Sequence, residues 1–133
     1  MIEKLALQIA VAIAACVPVL AGAAGALNPA VLDLVSSSAQ SLTHAAYLSG
    51  LLLGIGLAFW SCVPAIETKS GRFALLTAIV VLGGLARLLT AIRLGVWTPL
   101  VTGPLAMELI VTPAVCLWQK RVALSFPARN DHL

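Results

Sequence analysis

Arg87 and Glu108 each interrupt a stretch of sequence otherwise made almost wholly of Leu, Ile, Val, Ala, Gly and Thr. An ionised side chain in an apolar segment is costly unless it is paired, so each marks either a structural pin or a site. If the turn at 95–98 joins two antiparallel helices, position 87 lies level with about position 106. Glu108 is then about two residues, or ~3 Å of helix rise, deeper than Arg87. An ion pair across that hairpin is within easy reach. On the helix carrying Glu108, the residues Thr112, Cys116 and Gln119 continue a polar stripe, with Pro104 one turn before it. Arg87 shares its face with Gly83, Gly84, Thr90 and Ala91, which leave room around a long side chain. The spacing predicts that Arg87 and Glu108 meet in the interior, with Thr90, Thr112, Cys116 and Gln119 as candidate lining of a polar cavity. Three chemistries stay open for the pair. It can fix the register of the hairpin, or it can bind a polar head group, an anion or a proton. Alternatively, Arg87 can snorkel to the outer interface and leave Glu108 alone.

Other reactive residue types are sparse. Cys16, Cys62 and Cys116 form no metal or redox motif and read as small apolar fillers. Asp33 and His44 are too few for a metal site. Glu67, Lys69 and Arg72 read as solvated loop charges. The sequence holds no nucleophile elbow, no phosphate-binding glycine loop and no C-x-x-C or H-E-x-x-H. The expectation is therefore a protein that is not an enzyme and that carries no cofactor and no metal.

The elements that must position the pair follow from composition. The 133 residues are 61% hydrophobic and only 10% charged, and the net charge is +3. Mean hydropathy is +1.06. About a quarter of a soluble domain is charged, so these values exclude a soluble enzyme, a disordered tail and a nucleic-acid binder. A membrane-crossing helix needs about 20 mostly apolar residues. Stretches of that kind lie at 5–27, 45–63, 73–94 and 100–118. The prolines at 18, 104 and 113 are tolerable inside such helices, with a bend expected near Pro113. Lys4, the apolar run to Leu20 and the small residues 21–26 also resemble a cleavable signal peptide. The run is long for that and continues through the would-be cleavage site, so a retained first span is expected.

Lys4, Lys69, Arg72, Lys120, Arg121 and Arg129 all fall on one side of this four-span layout, and Arg93 falls on the other. The positive-inside rule then places both termini in the cytoplasm. Tyr47 and Trp97 fall at outer span ends, and Phe59, Trp60, Phe73 and Trp118 at inner ends, as an interfacial aromatic belt requires. Between spans one and two, Asn28-Pro29 reads as the start of a short helix on the outer surface. Close packing needs small residues at helix contacts. Gly50 and Gly54 (a G-x-x-x-G), Gly83 and Gly84 are the expected packing positions, and Ala12, Ala15, Gly22 and Ala26, with Gln8, serve the first span.

The run Tyr47-Leu48-Ser49-Gly50-Leu51-Leu52-Leu53-Gly54-Ile55-Gly56-Leu57-Ala58 after His44, with Pro64 and Glu67 beyond it, resembles part of a family of small bacterial inner-membrane proteins. Leu82-Gly83-Gly84-Leu85-Ala86-Arg87-Leu88-Leu89, Glu108-Leu109 and Leu117-Trp118-Gln119 resemble it too. The family is classed as a domain of unknown function, and the likeness covers about residues 5–122. It implies four helices and an integral membrane protein and brings no activity.

The expected fold is all-α: an integral membrane four-helix bundle with both ends inside, one domain over 1–122 and a cytoplasmic tail over 123–133. The expected role is that of a non-enzymatic accessory or lipid-associated scaffold in the bacterial inner (cytoplasmic) membrane. The alternative is an oligomeric small-solute or proton-coupled transporter using Arg87 and Glu108. The partners left open are membrane lipids, further copies of the chain and a larger membrane complex.

Overall fold

The computed structural model describes residues 1–29 and 38–125. These are all-α: α1 Ile2–Leu27, α2 Ala39–Trp60, a 3-10 turn Val63–Ala65, α3 Ser70–Leu94, α4 Pro99–Ala106, a π-helical turn Met107–Val111 and α5 Thr112–Ser125. Counting the turns that continue them, four helices, Ile2–Leu27, Ala39–Ala65, Ser70–Leu94 and Pro99–Ser125, are long and apolar enough to cross a membrane.

Three helix boundaries have a local cause. Ser38 caps α2 by accepting a hydrogen bond from the Ser41 amide at 3.2 Å, which starts the helix at Ala39 rather than near position 45. The short outer-surface helix expected after Asn28-Pro29 falls at residues 30–37, outside the described residues. α3 ends at Gly95, whose φ of +66° suits a residue without a Cβ. There the Gly95 and Val96 amides both return to the Ala91 carbonyl. Thr98 and then Pro99, at the first position of α4, begin the return helix.

Pro113 shapes the last helix. It has no N–H to give to Leu109, and its ring would crowd that carbonyl in a regular α-helix. The chain widens just upstream instead, into the π-helical turn Met107–Val111. The Thr112 amide reaches back five residues to Met107, and the Thr112 hydroxyl donates to the same carbonyl at 2.8 Å. A wide turn thus stands where the sequence suggested a bend, and Glu108 lies within it.

The chain groups into two compact units: Gln8–Pro64, and Met1–Leu7 joined to the chain from Ala65 onward. In the first unit α1 and α2 run antiparallel along a seam with heptad spacing. A Cβ on Gly22 would lie 2.5 Å from the Leu53 nitrogen and 2.8 Å from the Ser49 carbonyl oxygen. One on Gly56 would lie 2.7 Å from Val19 Cγ2 and 3.3 Å from Pro18 Cγ. Further along, Trp60 Nε1 donates to the Ala12 carbonyl at 3.0 Å and Gln8 Nε2 donates to the Val63 carbonyl at 2.7 Å. The α2 side of the seam is thus Ser49, Leu53, Gly56, Trp60 and Val63.

The glycines expected to carry packing are corrected on this point. Among the described residues, no atom lies within 4 Å of a Cβ position on Gly50, Gly54 or Gly83. Gly50 and Gly54 sit one residue off the Ser49–Leu53 seam, and one residue is about 100° of helix rotation. Of the four expected positions, Gly84 makes the close approach: a Cβ there would lie 2.8 Å from Leu109 Cδ2 and 2.9 Å from Glu108 Cβ. The aromatic belt is also thinner than expected. Phe59 and Phe73 are buried, at 8% and 1% exposure, whereas Tyr47 and Trp97 are exposed.

The seam makes a direct prediction. Gly22→Ala should destabilise the protein by about 1–3 kcal/mol, because backbone on the neighbouring helix must shift to admit the methyl group. Gly50→Ala and Gly54→Ala should stay within about 0.5 kcal/mol of the parent. Detergent-solubilised unfolding curves for the three variants check this.

Candidate functional site

The second unit holds the ionisable residues of interest. α3 and the helix from Pro99 run antiparallel about the Gly95 turn. Gly84 lets the two backbones close, so that Arg87, three residues further along α3, comes against Glu108. Arg87 Nε donates to Glu108 Oε2 at 3.1 Å, and Arg87 Nη2 donates to Oε1 at 3.1 Å. This is the parallel, two-bond fork that a planar guanidinium makes with a carboxylate. Glu108 occupies the π-helical turn, so the irregular turn imposed by Pro113 also aims its carboxylate. π turns often coincide with functional positions.

The pair is not sealed away. The Arg87 side chain is 45% exposed and that of Glu108 20%. The structure therefore differs from the interior position expected of the pair. The physical reason is angular: Gly84, not Arg87, sits on the line of closest approach, and a position three residues on is rotated about 60° to its flank.

The other residues expected around the pair go elsewhere. The Thr90 hydroxyl donates to the Ala86 carbonyl of its own helix at 3.0 Å, and Thr90 is exposed. The Thr112 hydroxyl is taken by Met107. Cys116 is buried, and Gln119 is fully buried. Gln119 Nε2 donates to the Ile66 carbonyl at 2.6 Å and to Ser70 Oγ at 2.9 Å, tying α5 to the start of α3. Glu108 and Gln119, at the two ends of the stripe, thus both face α3. An open apolar groove of about 340 Å³ is lined by Trp97, Thr102, Leu105, Ala106, Leu109 and Ile110. A second groove, in the other unit, is lined by Gln40, Thr43, His44 and Tyr47. Neither groove is lined by Arg87, Glu108, Thr90, Thr112, Cys116 or Gln119.

A second ion pair was not foreseen. Lys4 Nζ lies 2.7 Å from Glu67 Oε1, with side-chain exposures of 30% and 18%. Glu67 is therefore a partnered, largely enclosed residue rather than a solvated loop charge. The hydrogen bond from Lys4 holds its carboxyl below the ordinary glutamate value, against the opposing effect of partial burial. The available sequence signal was modest: Lys4 precedes an apolar run, and Glu67 stands in a short connection between two others. Only the fold shows that these meet.

With the geometry in place, comparison with known proteins adds one result. The family model "Domain of unknown function (DUF4345)" matches residues 6–119, and the chain belongs to that family. No curated protein and no solved structure matches it.

Two predictions follow from the ion pairs. Arg87→Ala and Glu108→Gln should each lower the folded yield, because each strands a charge or a donor set in an apolar surround. The double variant Arg87→Met/Glu108→Leu should recover much of the loss, since it strands neither. Size-exclusion yield from matched membranes measures this. For Lys4–Glu67 the carboxyl's folded value is lowered, so its stabilisation is full above the ordinary glutamate value of about 4.3. It is lost as pH falls through the lower folded value. The stability gap between the parent and Lys4→Met should be widest at neutral pH and should close as the pH falls below about 4.

Proposed function

We propose that the chain is a multi-pass protein of the bacterial inner membrane, with both termini in the cytoplasm, acting without catalysis as an accessory subunit or lipid-associated scaffold. Four helices long and apolar enough to cross a membrane support the membrane assignment. The segregation of Lys4, Lys69, Arg72, Lys120, Arg121 and Arg129 supports the orientation.

The observation that carries the scaffold reading is the two-bond closure of Arg87 on Glu108. A carboxylate that carries protons or solutes needs a polar route to it. Here the hydroxyls of Thr90 and Thr112, on the same two helices, are committed to carbonyls of those helices. Such a pair holds two helices in register and presents a fixed polar spot on an otherwise apolar flank. That suits a protein whose work is to be recognised in the plane of the membrane.

The test is extraction of the full chain in native-membrane discs, with mass spectrometry of what accompanies it. The expected result is a reproducible phospholipid or membrane-protein companion. After reconstitution into liposomes, neither proton nor small-solute flux should exceed that of empty vesicles. A flux abolished by Glu108→Gln would overturn the scaffold reading in favour of a transporter. Reporter fusions at residues 1 and 133 should both report the cytoplasm, and a fusion after Trp97 should report the opposite side.

A further inference from the structure

We propose that the flank of α3 carrying Arg87 is a self-association surface, on which the Arg87–Glu108 pair of one chain exchanges hydrogen bonds with the same pair of a second copy. The proposal rests on the membrane reading above and names the partner for its polar spot.

Three observations lead to it. First, the fork leaves the pair under-satisfied. A guanidinium has five N–H donors, and two go to Glu108, so three are left without a partner among the described residues. The Glu108 carboxylate can accept about four hydrogen bonds and receives two from the described residues. In hydrocarbon neither group can turn to water, so the vacant positions favour any partner that fills them.

Second, the surroundings of the pair admit another helix. Gly83, Arg87, Thr90 and Leu94 follow one another at spacings of four, three and four, and so share one face of α3. No atom of the described residues lies within 4 Å of a Cβ position on Gly83. Thr90 and Leu94 are exposed, and the Thr90 hydroxyl is already turned onto its own helix. Small or inward-turned residues on either side of Arg87 let a second backbone come close, which is how helices associate in lipid.

Third, the charge pattern selects the occupant. An anionic head group would be drawn to Arg87 but repelled by Glu108, which is itself 20% exposed. The pair is neutral overall and offers both signs side by side. A surface of that kind is complementary to its own copy. A two-fold axis along the membrane normal keeps Arg87 and Glu108 of the two chains at equal depth. Each spare set of donors then faces the other chain's carboxylate, giving an isologous contact.

The test uses the purified full chain in lipid nanodiscs and liposomes. Under mild oxidation, Gly83→Cys and Thr90→Cys should form disulfide-linked dimers. All these variants carry Cys16→Ser, because Cys16 is half-buried whereas Cys62 and Cys116 are buried. In that background Leu85→Cys, exposed on the opposite side of α3, should not cross-link, and neither should the background itself. In tagged pull-downs, Arg87→Glu and Glu108→Arg should each lose self-association by roughly a hundredfold, because like charges then face each other. Mixed together, these two variants should pair. The double reversal Arg87→Glu/Glu108→Arg, which keeps the fork within each chain, should self-associate as the parent does and guards against misfolding of the single variants.

The proposal is overturned if the folded parent is monomeric, if Leu85→Cys cross-links as readily as Gly83→Cys, or if either single reversal still pairs with itself. A monomeric parent that retains anionic phospholipid, with retention lost in Arg87→Ala, would likewise overturn it and assign the spot to a head group. Because only the purified chain is used, this result stands apart from the scaffold reading, which is decided by companions found in native membrane and by the absence of flux.

Discussion

A polar atom inside a pair of apolar helices is costly unless something within reach satisfies it, and much of this structure follows from that cost. Among the described residues, Thr77 Oγ1 and Gln119 Oε1 nevertheless stay buried without a partner. Carbonyls are left loose wherever a helix stops or is broken by proline, and long polar side chains are spent on them. Gln8 serves Val63 just before Pro64, and Gln119 serves Ile66 in the connection to α3; the Thr112 hydroxyl adds a second bond to the Met107 carbonyl, which the Thr112 amide already reaches. Each of these bonds also ties a segment down. The few polar residues in the apolar stretches therefore do structural work at breaks, where the backbone cannot satisfy itself.

Close approach is the second element, and it depends on angle more than on composition. The sequence holds glycines on several faces of α2 and α3. The α1–α2 seam uses Gly22 and Gly56, and the α3 seam uses Gly84. Gly50 and Gly54 form the more recognisable motif yet meet no atom of the described residues within 4 Å of a Cβ position. A G-x-x-x-G is legible in a sequence, but its direction is not. A seam shifted by one residue turns the motif by about 100° and hands the contact to Ser49, Leu53 and Gly56.

Arg87 and Glu108 combine both elements. Gly84 brings the backbones together, the π-helical turn before Pro113 sets the direction of Glu108, and the guanidinium closes the fork. The same geometry leaves the pair on a flank, with Arg87 nearly half exposed. A glycine, a proline and two charges, unremarkable singly, thus build one polar spot on an apolar surface, and membership of a family of unknown function attaches no activity to it.

By itself the sequence determined the class of protein: all-α, with four helices long and apolar enough to cross a membrane, because hydropathy and length are properties of the chain read locally. It placed the turn of the hairpin at 95–98, between spans at 73–94 and 100–118, since the break in the apolar pattern is also local. From depth along that hairpin alone, Arg87 and Glu108 could be set at comparable heights. The tertiary structure decided what depends on rotation about helix axes and on contacts between distant segments. These are the seam that α2 presents, the commitment of Gln119 to Ile66 and Ser70, the joining of Lys4 to Glu67, and the position of the Arg87–Glu108 fork on a flank. A helix pattern states which residues share a face, but which face meets a neighbour is settled only when the neighbour's own shape is present.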